Sequence, residues 1–114
     1  MPARIIKSGK VRCSEVEINC NTESFIDKKE VQIAIRPEDI RFNREGENDN
    51  SIIASISEIE FLGAFQRIYF QSILISKEPI IMDIPSSSAR KTQLNVGDEM
   101  SLYFSEEDTK VYPI

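Results

Sequence analysis

Histidine is missing from this chain, and its four glycines stand isolated at positions 9, 46, 63 and 97. Without an imidazole there is no histidine to activate a nucleophile or to serve as general base. A zinc site with an imidazole ligand is excluded too, and two thiols, Cys13 and Cys20, are too few for a structural one. These cysteines form no C-x-x-C pair, and isolated glycines build no phosphate-cradling G-x-x-x-x-G-K-[ST] loop. No apolar run reaches the roughly 18 residues of a membrane-spanning helix. The start, Met1-Pro2-Ala3-Arg4-Ile5-Ile6-Lys7, lacks the apolar core of a secretory signal. With no sign of secretion, both thiols are expected to be reduced, as core or half-buried residues.

What is present suits one modest core. A chain of 114 residues, 40% hydrophobic and 29% charged, is expected to form a single domain over residues 1–114. Net charge is −5, although Arg4, Lys7, Lys10 and Arg12 make the first dozen residues locally basic. An acidic chain without a basic, aromatic-interleaved stripe is a poor nucleic-acid binder, because neutralising phosphates supplies most of that affinity.

Short strands account for most of the pattern. Val11-Arg12-Cys13 and Val16-Glu17-Ile18 alternate apolar and charged positions, the period of a half-buried strand. Phe25-Ile26 and a charged segment lead to a strand over residues 31–35, and Ile40 and Phe42 begin another. Residues 43–50 read as a charged loop with no core-forming side chain. Residues 51–72 read as a long hairpin turning at Gly63, extended by Ile73-Leu74-Ile75. Within it, Ile52, Ala54 and Ile56 share one parity whereas Ile59 and Phe61 take the other, which predicts a bulge or sharp bend. Ser76-Lys77-Glu78-Pro79 reads as a turn and residues 80–84 as a strand stopped by Pro85. A polar connection with room for one helical turn follows, then a turn at Asn95-Val96-Gly97-Asp98 and two closing strands. Turn signals every ~8–12 residues indicate an all-β barrel or sandwich.

One corner stands out. An apolar strand runs into Arg36-Pro37-Glu38-Asp39. Pro37 fixes φ and has no N–H to donate, so it ends the ladder, and it drives Arg36 toward an extended conformation. Acidic side chains after the proline suit a turn. A salt bridge inside the corner is expected, with Arg36 gripping Glu38, Asp39 or another carboxylate. Two carboxylate pairs, Glu38-Asp39 and Glu58/Glu60, are the only acid–base candidates, and solvated pairs of this kind are common on strands and turns. From residue chemistry alone the chain is a binding or structural module without a visible active site.

Four motifs in order carry a resemblance. Ala34-Ile35-Arg36-Pro37-Glu38-Asp39-Ile40 resembles the "iRPEdi" signature of the transport-associated OB (TOBE) domain, the C-terminal regulatory domain of ATP-binding subunits of ABC importers. Ile56-Ser57-Glu58-Ile59-Glu60-Phe61-Leu62-Gly63-Ala64 resembles that family's V-x-E-x-x-x-L-G hairpin. The stretch from Leu94 to Phe104 resembles its L-x-x-G-D-x-V-x-L-x-F, and residues 105–113 its usual ending. Met1-Pro2-Ala3-Arg4-Ile5 is similar to the junction N-x-L-P-A-R-V, where the ATPase domain hands over to the regulatory one.

The resemblance implies an OB-like β-barrel, as two lobes or as one barrel with a swapped strand. It implies a piece of a longer ABC ATPase polypeptide whose other half holds the Walker and signature motifs, ATP and magnesium, so that this chain itself has no cofactor, no metal and no catalytic residue. Expected partners are a second copy of the chain, its own ATPase domain and, indirectly, the membrane permease. The chain then lies in the cytoplasm at the inner face of the membrane, without inserting into it. The corner Arg36, Pro37, Glu38 and Asp39 either pins a turn or touches the partner or ATPase domain. Gly63 and Gly97 are turn residues needing positive φ, Gly63 having close approach of a ligand as its alternative. Sensing of a small ligand is the alternative function: Glu38, Asp39, Glu58 and Glu60 would suit a polyamine, whereas Ser86-Ser87-Ser88 with Arg90 and Lys91 would suit an oxyanion or else form a solvated connector.

Overall fold

A computed structural model of the chain describes residues 1–25, 27–72 and 74–114, the side chain of Ser76 excepted. The parts of the sequence reading that concern Ile26 and Ile73 lie outside the described residues. Among the described residues nine strands form two antiparallel sheets. The first contains β1 (Pro2–Lys7), β2 (Lys10–Cys13), β3 (Val16–Asn19), β4 (Glu30–Ile35) and β9 (Thr109–Pro113), in the order β3-β2-β1-β4-β9. The second contains β5 (Asn50–Phe61), β6 (Phe65–Ser72), β7 (Ser76–Pro85) and β8 (Glu99–Phe104), in the order β7-β6-β5-β8. The chain crosses between the sheets after β4 and returns after β8. This is the expected all-β, OB-like architecture.

Alternation explains how the sheets meet. In β5, Asn50, Ile52, Ala54 and Ile56 are buried while Ser51 and Ile53 are exposed. Each strand has a period of two, so one face of each sheet carries the apolar set. Val11, Cys13, Ile18, Val31 and Ile33 of the first sheet join Ile52, Ile56, Ile68, Phe70, Leu102 and Phe104 of the second in one buried cluster. Phe42 adds an edge-on contact to Phe70, ring centroids 6.5 Å apart.

The parity switch in the long hairpin is a bulge. Register passes from Ile56↔Phe70 to Glu58↔Tyr69, skipping Ser57, whose hydroxyl donates to the Tyr69 carbonyl at 3.0 Å. Two expectations need correction. The second turn falls at Leu74-Ile75, not at residues 76–79: the Ile75 N–H donates to the Ser72 carbonyl at 3.2 Å, and Ile75 is buried. Pro79 therefore lies inside β7, tolerated because β7 is an edge strand. The strand expected from Ile40 and Phe42 is a single rung, Arg41 exchanging two 2.8 Å backbone bonds with Tyr103. The polar residues after Phe42 offer no further buried face to extend it.

One side chain acts as a peptide across the sheet junction. Asn50, 5% exposed, accepts from the Asn19 N–H at 2.8 Å and donates to the Asn19 carbonyl at 3.0 Å. Its amide also donates to the Thr109 hydroxyl at 3.5 Å. The end of β3, the start of β5 and the start of β9 are thereby held together.

Candidate functional site

The Arg36 corner is a single 3-10 turn over Pro37–Asp39, with Arg36 extended (φ −68°, ψ 140°) as a residue before proline should be. The Asp39 N–H donates to the Arg36 carbonyl at 2.9 Å and closes it. The salt bridge expected inside the corner is not formed: the ion pairs among the described residues do not include Arg36. Backbone geometry pre-set by proline therefore does the pinning, and the Arg36 side chain is left exposed. The turn packs against β7, covering an edge that would otherwise be open to another strand.

Asp39 feels its surroundings. Partial burial pushes its carboxyl above the ordinary range, aided by the neighbouring charges of Asp108 and Glu38 and opposed by Arg36 and Lys110. The corner thus adjoins the β8–β9 turn.

That turn forms one wall of a groove of 930 Å³. The other walls are the Ser8-Gly9 turn, the 3-10 turn Glu23–Phe25 with Cys20, Asn21 and Thr22 before it, and the loop at residues 46–49. Glu23, Glu47, Asp49, Glu106 and Glu107 line the groove against one cation, Lys110, whose ammonium donates to the Glu107 carbonyl at 3.2 Å. A concave wall dominated by carboxylates concentrates cations and repels anions.

The loop from residue 43, unpromising as core and ordered by charge, ends at residue 49; Asn50, expected within it, is the buried first residue of β5. The Asp49 carboxylate accepts from the N–H groups of Glu45 (2.9 Å) and Gly46 (3.2 Å) and from the Arg41 guanidinium. The Glu45 N–H, then the Gly46 N–H and Arg41, hold this carboxyl below the ordinary range against its burial. Arg44 donates to the Asp49 carbonyl at 2.9 Å and lies 5.2 Å from the Tyr103 ring centroid. The Asp49 carboxylate is thereby spent within the loop, its side chain covered, which leaves Glu47 as the exposed carboxylate that this loop offers to the groove.

The remaining candidates are placed elsewhere. Glu60 accepts from the Tyr69 hydroxyl at 3.1 Å, next to Arg67, which forms a two-bond fork with Asp83 at 2.9 and 3.0 Å. Neither Glu58 nor Glu60 lines the acidic groove, and neither do Glu38 or Asp39. Gly63 (φ +80°) and Gly97 (φ +97°) both take the left-handed conformation, and open space surrounds each missing Cβ. Gly63 is thus a turn residue whose positive φ, not crowding at its Cβ position, calls for glycine. Residues Ser86–Ala89 form one helical turn, in which the Ser86 hydroxyl donates to the Gly63 carbonyl at 2.6 Å. That serine ties the connector to the hairpin tip and is not free for an anion. Cys13 and Cys20 are unpaired and buried, and burial pushes both thiols up to about 11. Among the described residues no group of His, Cys, Asp and Glu is arranged to hold a metal, and no helix is long and apolar enough to cross a membrane.

Glu23, Glu47, Glu106 and Glu107 were not singled out from sequence. Each lies in a segment that reads as a solvated turn, and only the fold brings the three turns to one groove.

Comparison with known proteins agrees with this architecture. The model of the TOBE domain matches residues 33–111. The Fe(3+) ions import ATP-binding protein FbpC 2 of Rhizobium meliloti (strain 1021) is 22% identical over 117 residues, covering 93% of this chain. This chain spans 30% of that relative's length. The cytoplasmic molybdate-binding protein ModG, in a form with molybdate bound, superposes with a TM-score of 0.79 at 11% identity, over 99% of this chain and 94% of that one.

Proposed function

Because this chain belongs to the TOBE domain family, we propose that it is the regulatory and pairing module of the ATP-binding subunit of an ABC importer. The match over residues 33–111 carries this reading. In it, the chain is one unit of a longer polypeptide whose other part binds ATP and magnesium and drives solute uptake. That polypeptide works in the cytoplasm, at the inner face of the membrane, through a permease. The module holds two subunits together while their nucleotide sites open and close.

The sheet edges support pairing through faces. β3 has four residues, β9 carries Pro113, β7 carries Pro79 beneath the Arg36 corner, and β8 is met on its outer side by the Arg41 rung. Short, proline-bearing or covered edges are poor templates for another strand. A pair joined by faces should bury more than roughly 1,000 Å² with an apolar centre. Light scattering over a concentration series tests this: a dimer mass supports pairing by this module, and a monomer at every concentration removes it.

The groove favours a second reading, sensing of a small cation of the polyamine type. Its carboxylates suit a polycation and oppose an oxyanion. Calorimetry with spermidine and with molybdate separates the two. Heat with spermidine that fades as salt screens the charges is the expected result; no heat with either compound ends the reading.

A further inference from the structure

Phe61 is out of place for its register. It pairs with Gln66, one inner-face rung beyond Ile59↔Ile68, where Ile68 is fully buried. It therefore projects from the apolar face of the second sheet, yet it is 73% exposed. The cause is length. β5 has 12 residues, whereas the longest strands of the first sheet, β1 and β4, have six. At about 3.3 Å per residue the hairpin outruns the sheet that covers it.

The connector after β7 lies at that end. Between connector and hairpin lies a groove of 280 Å³ with Ile59, Phe61 and Leu94 as its apolar wall. Arg90 is its sole charged lining residue, and no carboxylate lines it. The side chains of Arg90 and its neighbour Lys91 are exposed and enter none of the ion pairs among the described residues. In a chain of net charge −5, a groove with an apolar wall, a rim of uncharged polar side chains (Gln66, Thr92, Gln93, Asn95) and one unpaired guanidinium is a locally basic site.

The geometry points to a docking site for a segment of a second protein that carries a large apolar side chain within one turn of a carboxylate. The apolar side chain seats between Phe61 and Leu94. The carboxylate meets the Arg90 fork, which grips it with two bonds. Charge complementarity selects this occupant. A basic segment would face Arg90 and Lys91. A second copy docked groove to groove would bring like patches together, since a two-fold contact sets the same surface on both sides. Docking here needs no second copy and stands apart from the pairing reading.

The test is a heteronuclear NMR titration of the isotope-labelled chain with two amidated peptides, Asp-Glu-Leu-Phe-Glu-Asp and Lys-Lys-Leu-Phe-Lys-Lys. The acidic peptide should shift the amides of Phe61, Gln66, Arg90 and Leu94 saturably, at least ~10-fold more tightly than the basic one. Arg90→Glu should reverse the preference. Phe61→Ser, at an exposed position, should abolish the response to both while leaving the remaining spectrum in place. No saturable shift with the acidic peptide, or equal binding of both, overturns the proposal. Shifts that follow protein concentration instead of peptide overturn it as well, and assign the groove to a second copy.

Discussion

Asn50→Ala removes the side chain that stands in for a peptide between the two sheets. Its two bonds to Asn19, at 2.8 and 3.0 Å, are lost together with the weaker one to Thr109. The Asn19 N–H and carbonyl are then left without their partner. A buried polar group left unsatisfied costs about 1–3 kcal/mol. Asn19 is half-buried, so entering water recovers part of this, and the expected loss is about 2–3 kcal/mol for the pair. For a chain of this size that lowers Tm by roughly 10–15 °C. Urea denaturation followed by far-UV circular dichroism reads the loss directly. Asn50→Asp sharpens the test. It keeps the acceptor for the Asn19 N–H but turns a carboxylate against the Asn19 carbonyl. It should be no more stable than the alanine variant at neutral pH and should recover toward acid, where a protonated carboxyl can donate again. An alanine variant within about 0.5 kcal/mol of the parent would show that Asn50 does not join the sheets, and the reasoning would fall.

Other outcomes follow from single sites. Gly63→Ala and Gly97→Ala should each cost about 1–2 kcal/mol through backbone strain alone, because open space surrounds both positions; asparagine at either should recover part of this in denaturant titrations. Phe70→Ala, at the centre of the core and fully buried, should cost about 3–5 kcal/mol in the same assay. Cys13 and Cys20, buried with thiols near 11, should resist iodoacetamide at pH 8 in the folded chain and react only in denaturant, as read by mass spectrometry. Asp39 has a folded-state pKa above its unfolded value, so the folded chain binds more protons in the window from 3.8 upward and loses stability as pH rises through it. Asp39→Asn should therefore be more stable than the parent at neutral pH. The gain should vanish as pH falls below 3.8, which melting curves across pH would show.

Much of the fold is legible because strands encode their own faces. The alternation in residues 51–72 located both arms of the hairpin, and its parity break called for a bulge or a bend, which the structure resolves as a bulge at Ser57. Pro37 announced the corner and the conformation of Arg36. Where the reading missed, a tertiary fact intervened. Pro79 signals a turn only if its strand is central, and edge position is decided by strand order. The charge pair expected at Arg36 did not form; the turn is closed by a backbone bond instead.

The candidate sites divide along the same line. By itself, the sequence determined the all-β class, the reduced cysteines, the absence of a histidine- or P-loop-based active site, and the turn roles of Gly63 and Gly97. These follow from local chemistry: which side chains exist, their period, and the φ a residue tolerates. Only the tertiary structure decided that Glu23, Glu47 and Glu106 share one groove. It alone leaves Phe61 uncovered beside Arg90 and makes Asn50 the link between the sheets. Those relations join residues far apart in the chain, and what brings them together is the packing of two sheets of unequal length, which no local pattern records.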